Sequence, residues 1–115
     1  MQVKRANILS EAQIDDAARL FAILSEPSRL RIIKHLMAGP KTVGELVARL
    51  DMKQGSVSKQ LAILHQARLL TRERDGNFIR YGLADPILVP LCKLVCDRIE
   101  RLARQQAKAA GLRLK

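Results

Sequence analysis

The sequence predicts a mainly α fold with one β-hairpin, and three observations predict it. Only 3% of the 115 residues are aromatic, so the core must be built mostly from Leu, Ile, Val and Ala, a composition that favours helices. Five stretches carry apolar residues at helical spacing. One stretch near residue 75 changes period instead, with strand-forming residues on both sides of an Asp-Gly turn signal.

The first helix is read from about Ser10 to Leu24. Ser10 and Gln13 have the spacing of a capping box, and Ile14, Ala17, Ala18, Phe21 and Leu24 recur on one face. Pro27 suits the first turn of a second helix, where a missing N–H costs nothing. That helix, "PSRLRIIKHLM", turns Leu30, Ile33, Leu36 and Met37 inward and stops at Gly39-Pro40. Thr42 can cap a short third helix, "VGELVARL", with Val43, Leu46, Val47 and Leu50 inward. After the break at "DMKQG", the stretch "SVSKQLAILHQARLL" puts Val57, Leu61, Leu64 and Ala67 on one stripe. Ser56, Lys59, Gln60 and Ile63 are left on the other side. A short helix, a tight turn and a longer helix make a helix-turn-helix.

In "LLTRERDGNFIRYGL", two strands flank Asp75-Gly76-Asn77. Asp85 and Pro86 then read as N-cap and first-turn proline of a last helix, which Pro90 delays by a turn because proline lacks the N–H. Its apolar face is Leu91, Leu94, Val95, Ile99 and Leu102. The whole, residues 1–115, is expected to be a single domain: a winged helix-turn-helix with an extra dimerisation helix at each end. The recognition helix covers about 54–68, the wing about 69–83 and the last helix about 86–110.

Charge narrows the function. Twenty-one Lys and Arg against 11 Asp and Glu give a net charge of +10 and a pI near 10.5. Such a charge speeds encounters with polyanions, nucleic acid first and anionic membrane second. No run of about 18 apolar residues is present to span a bilayer. The stretch "MQVKRANILSEAQIDD" lacks an apolar h-region, so no secretory signal is expected. Two cysteines make no disulfide framework, and the expected compartment is the cytoplasm. No Gly-rich phosphate loop and no nucleophile, base and acid at recognisable spacing argue for an enzyme.

Double-stranded DNA is therefore the expected partner. Gln54, Ser56, Ser58, Lys59 and Gln60 supply polar side chains at the exposed first turns of the recognition helix. Gln can bond adenine in bidentate fashion, Ser several bases, and Lys guanine or phosphate. Gly55 permits close backbone approach beside free N–H groups that suit a phosphate. The plainer reading is a solvated surface helix, and the adjoining basic hairpin argues against it. In the wing, Arg72, Arg74 and Arg80 can reach phosphates or a narrow minor groove. Asp75 would oppose a phosphate, so the arms are expected to contact DNA more than the tip.

The last helix carries Arg98, Arg101, Arg104 and Lys108, with Arg113 and Lys115 in the tail, and these read as a solvated face. Its apolar stripe is too long for so small a core to cover. A two-fold homodimer would bury it, with help from the first helix, and a membrane partner is not expected. A winged-helix module for protein or RNA is the reading from a different class.

The segments "LSEPSRLRIIKHL", "TVGELVARLDMKQGSVSKQLAILHQARLL" and "RDGNFIRYGLADP" resemble the ArsR/SmtB family of bacterial winged-helix repressors, over about residues 14 to 102. The resemblance implies a homodimer that represses transcription from an inverted repeat and is released by an inducer, often a metal or metalloid ion. The inducer sites of that family do not carry over. Where soft-metal members have Cys-x-Cys in the third helix, this chain has Val47 and Arg49. Zinc and nickel members use Asp and His along the last helix, which here offers Asp97 and Glu100 without His. Members responding to sulfide or oxidants need a second-helix cysteine, and none is present. His35 and His65 read as surface or half-buried helix residues.

That leaves Cys92 and Cys96, four apart on one helix face, with Cβ atoms about 5–6 Å apart. Two thiolates at that spacing can take a soft ion such as zinc, cadmium or arsenite, provided another subunit, the tail or solvent completes the shell. The helix start is expected to lower the Cys92 pKa. A disulfide within the helix suits the side-chain directions poorly, and one between subunits fits better. Packing as two small apolar side chains in the dimer face is the competing reading, and it leaves the repressor with no small inducer.

Overall fold

The computed structural model describes residues 9–111, so Arg113 and Lys115 lie outside it. In chain order the elements are α1 (Glu11–Leu24), α2 (Pro27–Leu36), β1 (Lys41–Thr42), α3 (Val43–Arg49), α4 (Gln54–Gln66), β2 (Leu70–Asp75), β3 (Phe78–Leu83) and α5 (Leu88–Ala109). They fall into two compact units, one ending at Ala84 and one beginning at Asp85.

Local signals set the helix starts. Ser10 Oγ accepts from Gln13 N at 3.2 Å while Gln13 Oε1 accepts from Ser10 N at 2.8 Å, closing the box at α1. The same reciprocal pair starts α3, between Thr42 and Glu45, at 2.9 and 3.1 Å. Pro27 is the first residue of α2, and Glu26 caps it by accepting from Ser28 N at 2.6 Å.

The core of the first unit gathers around α4. Val57, Leu61 and Leu64 are fully buried on its inner stripe, with Ile32, Ile33 and Leu36 of α2, Leu46 of α3 and Leu50 just after it completing the core. The inward face of α2 is rotated from the expected one. Ile32 has no exposed surface, whereas Leu30 and Met37 stay 42% and 39% exposed. A helix packed against α1, α4 and β3 at once buries a face wider than a single stripe, centred on Ile33 and Leu36.

Helix α4 ends at Gln66, two residues short of the expected limit. Arg68 follows in the left-handed region with φ 64°, where Arg68 N donates to His65 O and Leu69 N to Leu64 O. This reversal sends the buried Leu69 and Leu70 into the wing. The sheet has the order β1-β3-β2, all antiparallel, and its short first strand adds to the expected hairpin. Two residues offer no period to read; β1 exists because Lys41 and Thr42 pair with Tyr81 and Arg80. Asp75 pairs with Phe78, so the loop is Gly76-Asn77 alone, with Gly76 at φ 65° as this tight turn requires.

The last helix begins two residues later than Asp85-Pro86 suggests. Asp85 Oδ1 accepts from Ile87 N at 3.0 Å in a turn of its own, and the first regular bond runs from Leu91 N to Ile87 O. Pro90 thus sits in the first turn, where its absent N–H removes no bond. Along α5, Val89, Leu94, Val95 and Ile99 are exposed, while Leu91 and Leu102 are half-buried. On α1, Ile14 and Phe21 are exposed as well, and only Leu24 is buried.

Candidate nucleic-acid interface

The start of α4 is open. Lys53 is its N-cap and supplies no side-chain bond, and the first backbone bond joins Val57 N to Lys53 O at 3.0 Å. The N–H groups of Gln54, Gly55 and Ser56 therefore lack a partner within the helix, as at any uncapped N-terminus. They add a local positive potential to the net charge. The side chains of Gln54, Ser56, Ser58 and Lys59 are exposed beside them.

Gln60 is placed differently. It is half-buried, and its Oε1 accepts from Arg29 Nε at 2.9 Å. Arg29 in turn donates through Nη1 to the carbonyl of Ile23 at 2.9 Å, so the amide of Gln60 is held by α2 and the end of α1. Its NH₂ group remains as a donor. Arg29 is 31 residues from Gln60 in the chain, and no local pattern announces the contact.

The wing separates its charges by face. Paired residues of an antiparallel ladder share a face and neighbours alternate. Arg72 with Tyr81 and Arg74 with Ile79 therefore lie on one side, and Glu73 with Arg80 and Asp75 with Phe78 on the other. On the first side Arg72 Nε donates to Tyr81 Oη at 3.2 Å. The Tyr81 ring meets His65 of α4 edge to face, with centroids 6.4 Å apart. On the second side Arg80 Nε donates to Asp75 Oδ2 at 2.7 Å and Arg80 Nη1 to Glu45 Oε1 at 3.1 Å. The three wing arginines are thus not equivalent. Arg74 is exposed and makes no side-chain bond among the described residues; Arg72 is exposed and bonded once; Arg80 is held by two carboxylates.

The titration of this cluster follows its geometry. The Thr42 backbone N–H, and then the Arg80 charge, hold the Glu45 carboxyl below its ordinary range. The bond to Asp75, with the nearby Glu45 charge, raises Arg80 further above its already high value. Glu45 has no place among the expected site residues, although the capping-box spacing of Thr42 and Glu45 is there to be read.

Cys92 is half-buried and Cys96 exposed, both as free thiols on α5. Burial, and then the neighbouring Cys96, pushes the Cys92 thiol up. This corrects the lowering expected from the helix start. Cys92 is the fifth residue of α5, past the first turn in which the dipole acts, so desolvation of the thiolate prevails. Among the described residues, no group of three or more His, Cys, Asp and Glu could hold a metal ion. Asp97 and Glu100 instead pair along the helix with Lys93 at 3.3 Å and Arg104 at 3.5 Å.

Known proteins share this arrangement. Residues 26–72 match the pattern described as bacterial regulatory protein, arsR family. A transcriptional repressor SmtB homolog of Synechocystis is 33% identical over 93 residues, covering 81% of this chain and 70% of the relative. A probable mercury resistance operon repressor of Streptomyces lividans is 32% identical over 80 residues, 70% of this chain and 64% of its own. The crystal structure of Rv0081 of Mycobacterium tuberculosis superimposes with TM-score 0.76 at 29% identity, covering 85% of this chain and 99% of that one. That of the AntR antimony-specific transcriptional repressor gives 0.76 at 29%, covering 90% and 98%. The helix-turn-helix with its hairpin and these relatives together show that the chain belongs to the ArsR/SmtB family of winged helix-turn-helix, DNA-binding transcriptional regulators, and is not an enzyme.

Proposed function

We propose that this protein is a homodimeric repressor that binds an inverted repeat in double-stranded DNA and acts in the cytoplasm. The observation that carries the reading is the joint placement of an uncapped recognition helix and an arginine pair on the wing. Gln54, Ser56, Ser58 and Lys59 surround the open start of α4, and Arg72 and Arg74 share the wing face that meets α4 through Tyr81 and His65. Base edges fall to the helix and phosphates to the arginines and free N–H groups. Gln60 joins the base-reading set through its NH₂ group, and Arg80 is the least available of the wing residues.

Two copies are required because half of a palindrome binds weakly and because α5 exposes an apolar stripe. Val89, Leu94, Val95 and Ile99 stand in solvent in one copy, a surface that a second copy covers. No helix among the described residues is long and apolar enough to cross a membrane.

The inducer follows the cysteines only in part. The names of two relatives refer to mercury and antimony. In this chain Cys92 and Cys96 supply two soft donors, and no third donor stands beside them among the described residues. One chain therefore does not fit zinc, cadmium or arsenite by itself, and such an ion would need donors from the second copy. Both cysteines belong first to the packing of the dimer face.

A mobility-shift titration with the DNA upstream of the protein's own gene tests the reading. A palindrome-dependent shift that weakens steeply with salt supports it. Equal competition by an RNA duplex, or no shift, sinks it in favour of a protein- or RNA-binding module.

A further inference from the structure

We infer that Arg80 is a positioning residue, a latch that ties the wing to α3 and neutralises two carboxylates that would repel the DNA backbone. The inference rests on the DNA-binding reading above and revises the role of a wing arginine within it. Three observations support it. First, the Arg80 guanidinium joins the hairpin end, through Asp75, to the first turn of α3, through Glu45. Second, Glu45 Oε1 also accepts from Thr42 N at 2.9 Å, so the latch closes on an acceptor whose place the α3 capping box already fixes. Third, the next residue, Tyr81, points to the opposite face and meets His65 of α4. Two successive residues of β3 thus register the wing against both helices of the helix-turn-helix.

The charge balance gives the latch a purpose beyond geometry. The face of the wing that holds Arg80 carries Glu73 and Asp75, with Glu45 adjoining. Without Arg80 the charged side chains left on that side, Glu73, Asp75 and the adjoining Glu45, are all negative and would face a phosphate backbone unbalanced. A guanidinium paired with two carboxylates keeps N–H donors to spare, but its charge is already offset and its orientation already set by those two partners. The ion pairs are solvent-exposed and so contribute little to global stability. Their effect belongs to wing placement and DNA affinity.

The test compares Arg80→Ala with Arg74→Ala in the full-length dimer, measuring operator affinity from low to moderate salt. Loss of a phosphate contact from each subunit lowers the salt slope by about two per dimer, which Arg74→Ala is expected to show. Arg80→Ala is expected to weaken binding about tenfold at fixed salt while holding the slope within about half a unit of wild type. Adding Asp75→Asn and Glu45→Gln to Arg80→Ala should recover most of that loss, since a glutamine side chain also closes a capping box. A slope that falls as with Arg74→Ala, with no recovery, would mean that Arg80 contacts phosphate and the latch is wrong. An unchanged affinity overturns it equally. Nitrogen-15 relaxation of Gly76 and Asn77 in the DNA-free dimer provides an independent reading: the tip should gain mobility in Arg80→Ala, and equal order in both proteins contradicts the latch. If wild-type protein fails to bind any operator, the repressor reading falls and the relaxation result still decides the latch.

Discussion

Arg29 and Gln60 are hydrogen-bonded at 2.9 Å across 31 residues of sequence, joining the start of the second helix to the middle of the recognition helix. The bond fixes which way the Gln60 amide faces. It also links the recognition helix to the end of α1, because Arg29 bonds the carbonyl of Ile23 as well. On the proposed DNA-binding reading, an amide held in one orientation discriminates better than a free one, since an orienting bond removes the rotamer that would suit a different base.

This relationship yields a paired prediction. Gln60→Ala should relax base preference at one position per half-site by about 1–3 kcal/mol, the worth of a good base contact. Arg29→Ala should blur preference at the same position although Arg29 itself touches no base. Binding to a library of single-base operator variants checks both. If the two substitutions affect different positions, the orienting role is refuted.

A second prediction concerns Arg68. Its φ of 64° places a residue with a β-carbon where glycine is ordinarily favoured after a helix. Arg68→Gly should raise stability by about 1 kcal/mol or less, read as a higher midpoint in urea unfolding. A lower midpoint would show that the Arg68 side chain contributes more than its backbone strain costs.

Glu45 predicts a dependence on pH. Its folded carboxyl is held below the ordinary value, chiefly by the Thr42 N–H, so the unfolded chain takes up a proton first as pH falls. The stabilisation is complete above the ordinary carboxylate range and is lost as pH drops through the depressed folded value. Wild type and Glu45→Gln should therefore differ in unfolding midpoint near pH 7 and converge below about pH 4. A gap that widens in acid contradicts the assignment.

The two thiols should react unequally. Burial pushes Cys92 up and leaves less of it as thiolate at neutral pH, whereas Cys96 is exposed in the single chain. Alkylation of the chain diluted until the dimer dissociates, followed by mass spectrometry, should label Cys96 first, with Cys92 following only at more alkaline pH. Faster labelling of Cys92 near pH 7 would restore the idea of an activated sensing cysteine.

Much of this molecule is legible in its sequence, and the exceptions share a cause. Ser10 with Gln13 and Thr42 with Glu45 are local capping patterns, and both close as the spacing requires. Val57, Leu61 and Leu64 are likewise buried on the stripe read from their period. What period and spacing do not carry are contacts distant in sequence. Strand β1 is created by pairing with β3, and Ile32 displaces Leu30 because α2 packs on three elements. Among the candidate site residues, Gln54, Ser56, Ser58 and Lys59 are as open as their polarity suggests. Arg80 reads in one dimension as one more wing cation. Only the fold brings Glu45 within 3.1 Å of it, over 35 residues, and pairs this candidate DNA contact with a carboxylate of its own chain.

The central claim, a two-fold dimer placing paired recognition helices on paired half-sites, is tested most directly by operator spacing. Fluorescence anisotropy should compare an operator with its half-sites one helical turn apart against one carrying about five extra base pairs between them. The account predicts affinity that collapses toward non-specific levels on the lengthened site, because the second recognition helix then faces the wrong side of the duplex. Equal affinity for the two spacings would contradict it.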